Sequence, residues 1–322
     1  MPELYPPIEP YASGMLDVGD DQRIYWETCG NPVGKPALVV HGGPGSGATP
    51  WRRRLFDPAA YRIILFDQRN CGRSQPPASD PATDLRVNTT QHLLADMERL
   101  REYLGVERWL LQGGSWGSTL ALAYAEANPE RVSEIVLNGV TTGRHAELDW
   151  TFRGGGLAAL LPEQWERLRA LIPLETPDRE VASVYAQMLN DTNPDVRRHA
   201  ADAWCLWESA SPDWPPSNAL EPRFEDLDFA YSFARLVTHY VSHELFLEDG
   251  ALIRGATALA NISGALINGR YDLQAPLGNA WTLHRVWPSA SLTVVDNVGH
   301  SADAPSMSAA IVTATDGFRS RD

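Results

Sequence analysis

A serine flanked by glycines, where a strand pattern gives way to a helix pattern, constrains this chain most. Residues 109–129 read WLLQGGSWGSTLALAYAEANP. The first four predict a strand, and the last twelve predict a helix that stops before the proline. Between them, positions 113–117 match G-x-S-x-G, a sharp strand-to-helix turn that exposes a nucleophile. Glycines are needed because side chains would clash with the adjacent strand and helix. The sequence therefore predicts Ser115 as a nucleophile.

A serine nucleophile in this context is followed along the chain by an acid and then by a histidine. His300 ends the segment SLTVVDNVGH, in a loop between the last strand pattern and the last helix pattern. Asp272 ends GALINGRYD, just beyond another strand. Asp296 and Asp303 are rivals as the acid, but we expect both to cap or solvate the histidine loop. His300 would then act as the general base, oriented by Asp272.

The glycine-rich stretch VVHGGPGSGATP (39–50) has three interpretations. Its G-x-x-x-x-G spacing is shared with phosphate-binding loops, but Ala48 stands where such a loop needs lysine and Pro44 lacks an N–H. A purely structural strand-to-helix turn is a second interpretation. The nucleophile favours the third, an oxyanion hole. We expect its two backbone N–H groups to come from Gly43 and from Trp116, the residue after the nucleophile.

The distribution of strand and helix patterns predicts an α/β sheet interrupted by a helical insertion. Strand patterns recur in the first 140 residues and again near 264–272 and 291–300, whereas 141–250 is dominated by amphipathic helices. The continuous apolar character of most of these strands is typical of a parallel sheet covered on both faces. The strands expected before the insertion are RIYWET (23–28), ALVVH (37–41), RIILFD (62–67), WLLQ (109–112) and EIVLNG (134–139).

Charge and composition exclude several classes of protein. The formal charge of −14 disfavours binding to nucleic acid or to an anionic membrane. No apolar run is long enough for a membrane span, and the first ten residues do not resemble a secretory signal. The three widely spaced cysteines suit reduced thiols, so a cytoplasmic protein is expected. The surface of the insertion cannot be read from one chain, which leaves a homo-oligomer open.

Six motifs together resemble the prolyl aminopeptidases, also called proline iminopeptidases. They are HGGPG (41–45), DQRNCGRS (67–74), GGSWGS (113–118), GRYD (269–272), VGHS (298–301) and TDGF (315–318). The resemblance implies an α/β-hydrolase fold, with residues 1–140 and 251–322 as its core and 141–250 as a helical cap that recognises substrate. It also implies a serine peptidase that needs no metal or cofactor, releases N-terminal proline from peptides, and uses the three residues identified above as its catalytic triad.

The departures from the family pattern concern the substrate site. The resemblance implies that cap glutamates bind the free amino group; Trp207 and Glu208 match one such pair, but Val237 replaces the second expected glutamate. Asn138 and Thr141 stand where the family commonly has an arginine and a phenylalanine near the proline pocket. These changes leave an alternative open, an amidase or esterase for a small neutral acyl substrate. A non-catalytic binding module is disfavoured because it would have no use for an intact catalytic set.

Overall fold

The computed structural model describes residues 3–212 and 215–320 and contains a central sheet of eight strands in the order β1-β2-β4-β3-β5-β6-β7-β8. The pairs β1–β2 and β2–β4 are antiparallel, and the six strands from β4 to β8 are parallel to one another. The strands are β1 (Ala12–Gly19), β2 (Gln22–Gly30), β3 (Lys35–Val40), β4 (Tyr61–Phe66), β5 (Trp109–Ser115), β6 (Val132–Val140), β7 (Ser263–Gly269) and β8 (Ala290–Val295).

Helices cover both faces of the sheet and fill the segment between β6 and β7. The α-helices are α1 (Thr90–Tyr103), α2 (Trp116–Ala127), α3 (His145–Phe152), α4 (Gly156–Leu160), α5 (Pro162–Arg169), α6 (Val181–Met188), α7 (Pro194–Ala210), α8 (Leu227–Ser242), α9 (Ala251–Gly255), α10 (Leu277–Val286) and α11 (Pro305–Phe318). Helices α1, α2 and α10 share one hydrophobic core, and α11 belongs to a second core on the opposite face.

The strand residues divide between these two cores in strict alternation. In β3, Leu38 and Val40 join the core of α1 and α2, while Ala37 and Val39 join the core of α11. All four side chains are fully buried. Successive residues of a strand point to opposite faces, so a strand covered on both sides must be apolar at every position. This explains the continuous apolar runs, and the predicted α/β-hydrolase fold is confirmed.

The sequence patterns failed to identify one strand. β1, of sequence ASGMLDVG, pairs with β2 at the edge of the sheet, and only Val18 of its eight residues is fully buried. An edge strand with so little buried surface has too few apolar positions to produce a clear alternation. The helix predicted at 118–129 corresponds to α2, with both ends shifted by two residues.

The helical segment 141–250 is attached to the sheet through α8. Arg235 donates hydrogen bonds of 2.7 and 2.8 Å to the carbonyl oxygens of Ala78 and Asp80, in the loop that follows β4. The Tyr240 hydroxyl donates to Asn88 Oδ1 at 2.7 Å, and its ring packs 4.8 Å from the ring of Trp116. These contacts hold α8 above the carboxyl ends of the parallel strands.

Candidate active site

The predicted site residues gather at the carboxyl ends of neighbouring parallel strands, where open α/β sheets bind ligands. Gly43 follows β3, Ser115 ends β5, Thr141 follows β6, Asp272 follows β7 and His300 follows β8. Since β3, β5, β6, β7 and β8 are consecutive in the sheet, residues separated by more than 250 positions lie along one edge.

The predicted strand-to-helix turn is present at Ser115, with φ +56° and ψ −129°. This region is costly for any residue with a side chain, and such strain concentrates at functional positions. The glycines around it permit close backbone contact. A Cβ on Gly113 would lie 2.3 Å from the carbonyl oxygen of Gly117, and one on Gly117 would lie 2.2 Å from that of Val40. The spacing of G-x-S-x-G is therefore a steric requirement of this turn.

The Asp272 carboxylate and the His300 imidazole are directly paired. His300 Nδ1 lies 2.9 and 2.8 Å from Asp272 Oδ1 and Oδ2, and the carboxylate is buried. Oδ1 also accepts a hydrogen bond of 2.7 Å from the Ala275 amide, which fixes the carboxylate. A carboxylate on Nδ1 favours the tautomer with its proton on Nδ1, leaving Nε2 as a proton acceptor. The rivals are elsewhere: Asp296 pairs with the exposed Arg270, and Asp303 is itself exposed.

Gly43 and Trp116 line the same cavity as Ser115, and one buried glutamine connects the segments that carry them. Gln68 donates from Nε2 to the His41 carbonyl at 2.8 Å and accepts from the Trp116 indole N–H at 2.9 Å. The Gln68 amide donates to His41 Nε2 at 3.0 Å, and His41 Nδ1 lies 2.9 Å from the Gly42 carbonyl. Burial lowers the pKa of His41 to about 4, so this imidazole is neutral and structural.

The phosphate interpretation of the glycine-rich stretch disagrees with the contacts of its loop. The Ala48 amide donates at 2.7 Å to Asp67 Oδ1, and the Arg73 amide donates to the other oxygen of the same carboxylate at 2.8 Å. Asp67 is buried, and its charge is paired with the Arg73 guanidinium. The Ala48 amide is therefore not available to a phosphate, which the buried carboxylate would also repel. These contacts disfavour the phosphate interpretation and leave the structural turn and the oxyanion loop as the interpretations of this stretch.

Two cavities meet at Ser115, and they differ in size and polarity. Their shared lining consists of Gly43, Ser115, Glu208 and Gln274. The smaller, of about 80 Å³, has a mostly apolar wall formed by Leu148, Phe152, Val237, Val241 and Leu245. The larger, of about 400 Å³, contains His300 together with Arg52, Glu221, Arg223 and Asp303.

Glu208 is the acidic side chain that both cavities share, and it is 6 % exposed. Its Oε2 accepts a hydrogen bond of 3.2 Å from Gln274 Nε2, which also donates to Ser211 Oγ at 2.7 Å. Its Oε1 has no hydrogen-bond partner in the part of the chain that the structure describes. Burial raises the pKa of Glu208 to about 7. A buried carboxylate oxygen without a donor is an incomplete arrangement that a cationic ligand would complete.

The other residues predicted to bind substrate occupy different positions. Val237 and Thr141 line the smaller cavity, and the Thr141 hydroxyl donates to the Ser115 carbonyl at 2.9 Å. Asn138 lines the larger cavity and accepts from Gln112 Nε2 at 2.9 Å. Trp207 is fully buried, packs 5.3 Å from Trp165, and is absent from the lining of both cavities. The structure therefore places Trp207 in the core of the helical segment 141–250, while its neighbour Glu208 lines both cavities.

Three residues at the site did not emerge from the sequence. Gln68 lies within the DQRNCGRS motif, which the resemblance indicated to be structural and to pack beside the oxyanion loop, without a role for this residue in particular. Gln274 lies outside every motif. Gly139 has φ +52°, and a Cβ there would lie 2.9 Å from His300 Cε1, so it makes room for the imidazole. Neither glutamine had a local signal, because each acts through side-chain contacts between distant segments.

The part of the chain that the structure describes contains neither a group of side chains suited to a metal ion nor a helix that could span a membrane. Within residues 3–212 and 215–320, no three His, Cys, Asp or Glu side chains stand close enough together to hold a metal ion. Over the same ranges, no helix has the length and apolar character needed to cross a membrane.

Comparison with known proteins places these features in a family. Residues 35–302 match the family model for the alpha/beta hydrolase fold. A Streptomyces coelicolor protein named "Probable proline iminopeptidase" is 50 % identical over 319 residues, which cover 98 % of this chain and 97 % of that protein. A Xylella fastidiosa protein named "Proline iminopeptidase" is 45 % identical, and the match covers 99 % of this chain and 100 % of that protein. The solved proline iminopeptidase of Mycobacterium smegmatis has a TM-score of 0.62 at 21 % identity, and the match covers 96 % of this chain and 99 % of that chain.

Proposed function

This chain belongs to the proline iminopeptidase family of α/β-hydrolases, and we propose that it releases N-terminal proline from peptides through an acyl-enzyme formed on Ser115. The observation that carries the proposal is Glu208, a buried carboxylate with one oxygen unpartnered, at the junction of the two cavities that meet at the serine. A free N-terminus supplies the charge and the N–H donors that this oxygen lacks.

The proposed chemistry follows from the Asp272–His300 pair. His300 Nε2 takes the proton of the Ser115 hydroxyl as the serine oxygen attacks the carbonyl carbon of the N-terminal residue, and then gives it to the departing amine. Asp272 stabilises the imidazolium formed between these steps. Water, activated by the same imidazole, next attacks the acyl-enzyme and releases the free amino acid.

Charge on the carbonyl oxygen develops during both attacks. The amide of Trp116 stands at the first position of α2, where backbone N–H groups have no partner within the helix. We assign this amide and that of Gly43 as the oxyanion donors. A preorganised donor of this kind typically contributes a factor of about 10²–10³ to the rate.

The smaller cavity suits the acyl group of the substrate. Its wall of Leu148, Phe152, Val237, Val241 and Leu245 matches the methylene groups of a pyrrolidine ring, and Glu208 at its border suits the ring's secondary ammonium. Residues 141–250 supply this wall together with Glu208, which supports assigning them as the substrate-recognising cap and 1–140 with 251–322 as the catalytic core. The free, buried thiols of Cys29, Cys71 and Cys205 support placing the protein in the cytoplasm.

A panel of substrates tests this proposal with the purified protein. Proline 4-nitroanilide should be hydrolysed, whereas N-acetylproline 4-nitroanilide, which has no ammonium group, should be hydrolysed far more slowly. Ser115→Ala should lose both activities. Turnover of the blocked substrate or of 4-nitrophenyl acetate, without turnover of the free prolyl substrate, would contradict the peptidase and favour the esterase alternative, for which the apolar Val237 is the supporting observation.

A further inference from the structure

The larger cavity contains an arginine whose hydrogen-bonding capacity is not used. Arg52 lies in the 3₁₀ turn Pro50–Leu55, which follows the oxyanion loop. Its Nη1 is buried without a hydrogen-bond partner among the described residues, and its guanidinium carbon stands 5.1 Å from the ring centre of Trp51. Burial lowers the pKa of Arg52 to about 10, so the side chain is charged at neutral pH. An unpartnered buried guanidinium N–H is costly, and an anion would satisfy it.

The reaction directs the leaving group into this same cavity. His300 protonates the departing amine and lines the larger cavity but not the smaller one. The acyl group occupies the smaller cavity, so the rest of the peptide extends from Ser115 past His300 toward the wall that includes Arg52. At about 400 Å³, the larger cavity has room for a short leaving group.

Among the charged side chains that line the larger cavity, Arg52 is a cation that remains available to a ligand. Arg223 is already paired with Glu221 at 2.7 Å. Asp303 interacts electrostatically with Arg52 but forms no ion pair with it within 4.0 Å among the residues described. Glu208 faces the cavity from the junction at Ser115, where the substrate ammonium is expected. The ammonium group of a short peptide thus meets an opposite charge at the junction, on Glu208, and its carboxylate meets an opposite charge in the larger cavity, on Arg52.

We infer that Arg52 binds the α-carboxylate of a short peptide, which makes the protein selective for di- and tripeptides with a free C-terminus. The inference rests on the proposed peptidase function, which determines that a peptide leaving group enters the larger cavity. Selectivity follows because a guanidinium forms strong, directional hydrogen bonds to a carboxylate, whereas a C-terminal amide offers neither the charge nor two acceptor oxygens.

The test compares kcat/KM for Pro-Ala and Pro-Ala-Ala with that for their C-terminal amides. For whichever of the two peptides has the higher kcat/KM, the wild-type protein should prefer the free acid to its amide by about 10- to 100-fold. Arg52→Gln should bring this ratio of kcat/KM values close to one. Arg223→Gln is the matched control, because it removes an exposed arginine of the same cavity that is already paired; it should keep the wild-type ratio. An equal ratio in the wild type and in Arg52→Gln would overturn the inference.

Two further measurements identify the source of the carboxylate and separate the inference from the peptidase function. A preference for Pro-Glu amide over Pro-Gln amide that depends on Arg52 would assign the site to an acidic side chain and overturn the α-carboxylate. Calorimetry can measure the binding of Pro-Ala-Ala and of its amide without turnover, in Ser115→Ala and in the double variant that also carries Arg52→Gln. An Arg52-dependent preference for the acid there would support the inference even if no prolyl substrate were cleaved. Hydrolysis of proline 4-nitroanilide without any such preference would leave the peptidase function intact and refute the carboxylate site.

Discussion

Replacing Glu208 by glutamine should weaken catalysis and stabilise the fold at the same time. The substitution keeps the shape of the side chain and an acceptor for Gln274, but removes the charge that is proposed to bind the substrate ammonium. A hydrogen bond to a charged group is worth about 1.5–3 kcal/mol. Since about 1.4 kcal/mol corresponds to a factor of ten, kcat/KM for proline 4-nitroanilide should fall roughly 10- to 150-fold.

The effect on stability follows from the raised pKa of Glu208. In the unfolded chain this carboxyl loses its proton near its ordinary pKa of 4.5, whereas in the folded protein it keeps the proton up to about pH 7. Between these values the folded state binds more protons, so the free energy of unfolding decreases as pH rises. Above pH 7 the wild type carries the full penalty, on the order of 3 kcal/mol. Glu208→Gln should therefore melt several degrees higher at pH 8 and show little gain at pH 4.5.

The assay compares three quantities for the wild type, Glu208→Gln and Glu221→Gln. These are kcat/KM for proline 4-nitroanilide, kcat/KM for 4-nitrophenyl acetate, and the melting temperature at pH 4.5 and pH 8. Glu221 lines the larger cavity but is paired with Arg223, so its substitution should spare prolyl hydrolysis. Ester hydrolysis should persist in Glu208→Gln. A parallel loss of both activities, or a lower melting temperature at pH 8, would show that Glu208 serves the fold and refute the reasoning.

Three other substitutions test separate parts of the structure. Asp272→Asn should lower kcat by about 10⁴ because the imidazole adopts the wrong tautomer, with circular dichroism unchanged; a loss below tenfold would remove Asp272 from the proposed triad. Gln68→Leu removes the link between the segments that carry Gly43 and Trp116. It should lower kcat about 10- to 100-fold, with KM for proline 4-nitroanilide nearly constant. A change confined to KM would contradict a positioning role for Gln68. Burial raises the pKa of Glu126 to about 8, so the free energy of unfolding falls as pH rises from 4.5 to 8. Glu126→Gln should therefore melt at a higher temperature than the wild type at pH 8.5, with normal prolyl hydrolysis. An unchanged melting temperature would contradict this.

The sheet and the positions of the proposed catalytic residues could be predicted because their signals are local. A covered parallel strand must be apolar at each position, and the turn around Ser115 tolerates only glycine where the backbones approach within van der Waals contact. Asp272 and His300 could be placed because residues that follow parallel strands reach the same edge of the sheet, whatever their separation along the chain. Each inference needed only a few neighbouring residues.

The proposed substrate site could not be predicted in the same way, because it depends on which faces of the helices in the segment 141–250 meet the sheet. Trp207 and Glu208 are adjacent on α7, so they point in different directions: the ring packs against Trp165, and the carboxylate faces the serine. The family motif contains both residues and does not separate their roles. The contacts of Gln274 and Arg52 are likewise between segments far apart in the chain and carry no periodic or local signal.

The valine at position 237 is compatible with recognition of a free N-terminus when the charges of the smaller cavity are considered. A glutamate there would line the same cavity as Glu208, and two neighbouring carboxylates disfavour each other's ionised form. Glu147 also lines this cavity, but it is paired with Arg144 at 2.8 Å. With Val237, Glu208 is therefore the one carboxylate of the cavity that has no ion-pair partner among the described residues, and a single prolyl ammonium would balance its charge. The valine also extends the apolar wall that a pyrrolidine ring would contact. The loss of one carboxylate therefore weakens the attraction for an N-terminal residue with two positive charges more than it weakens the attraction for proline.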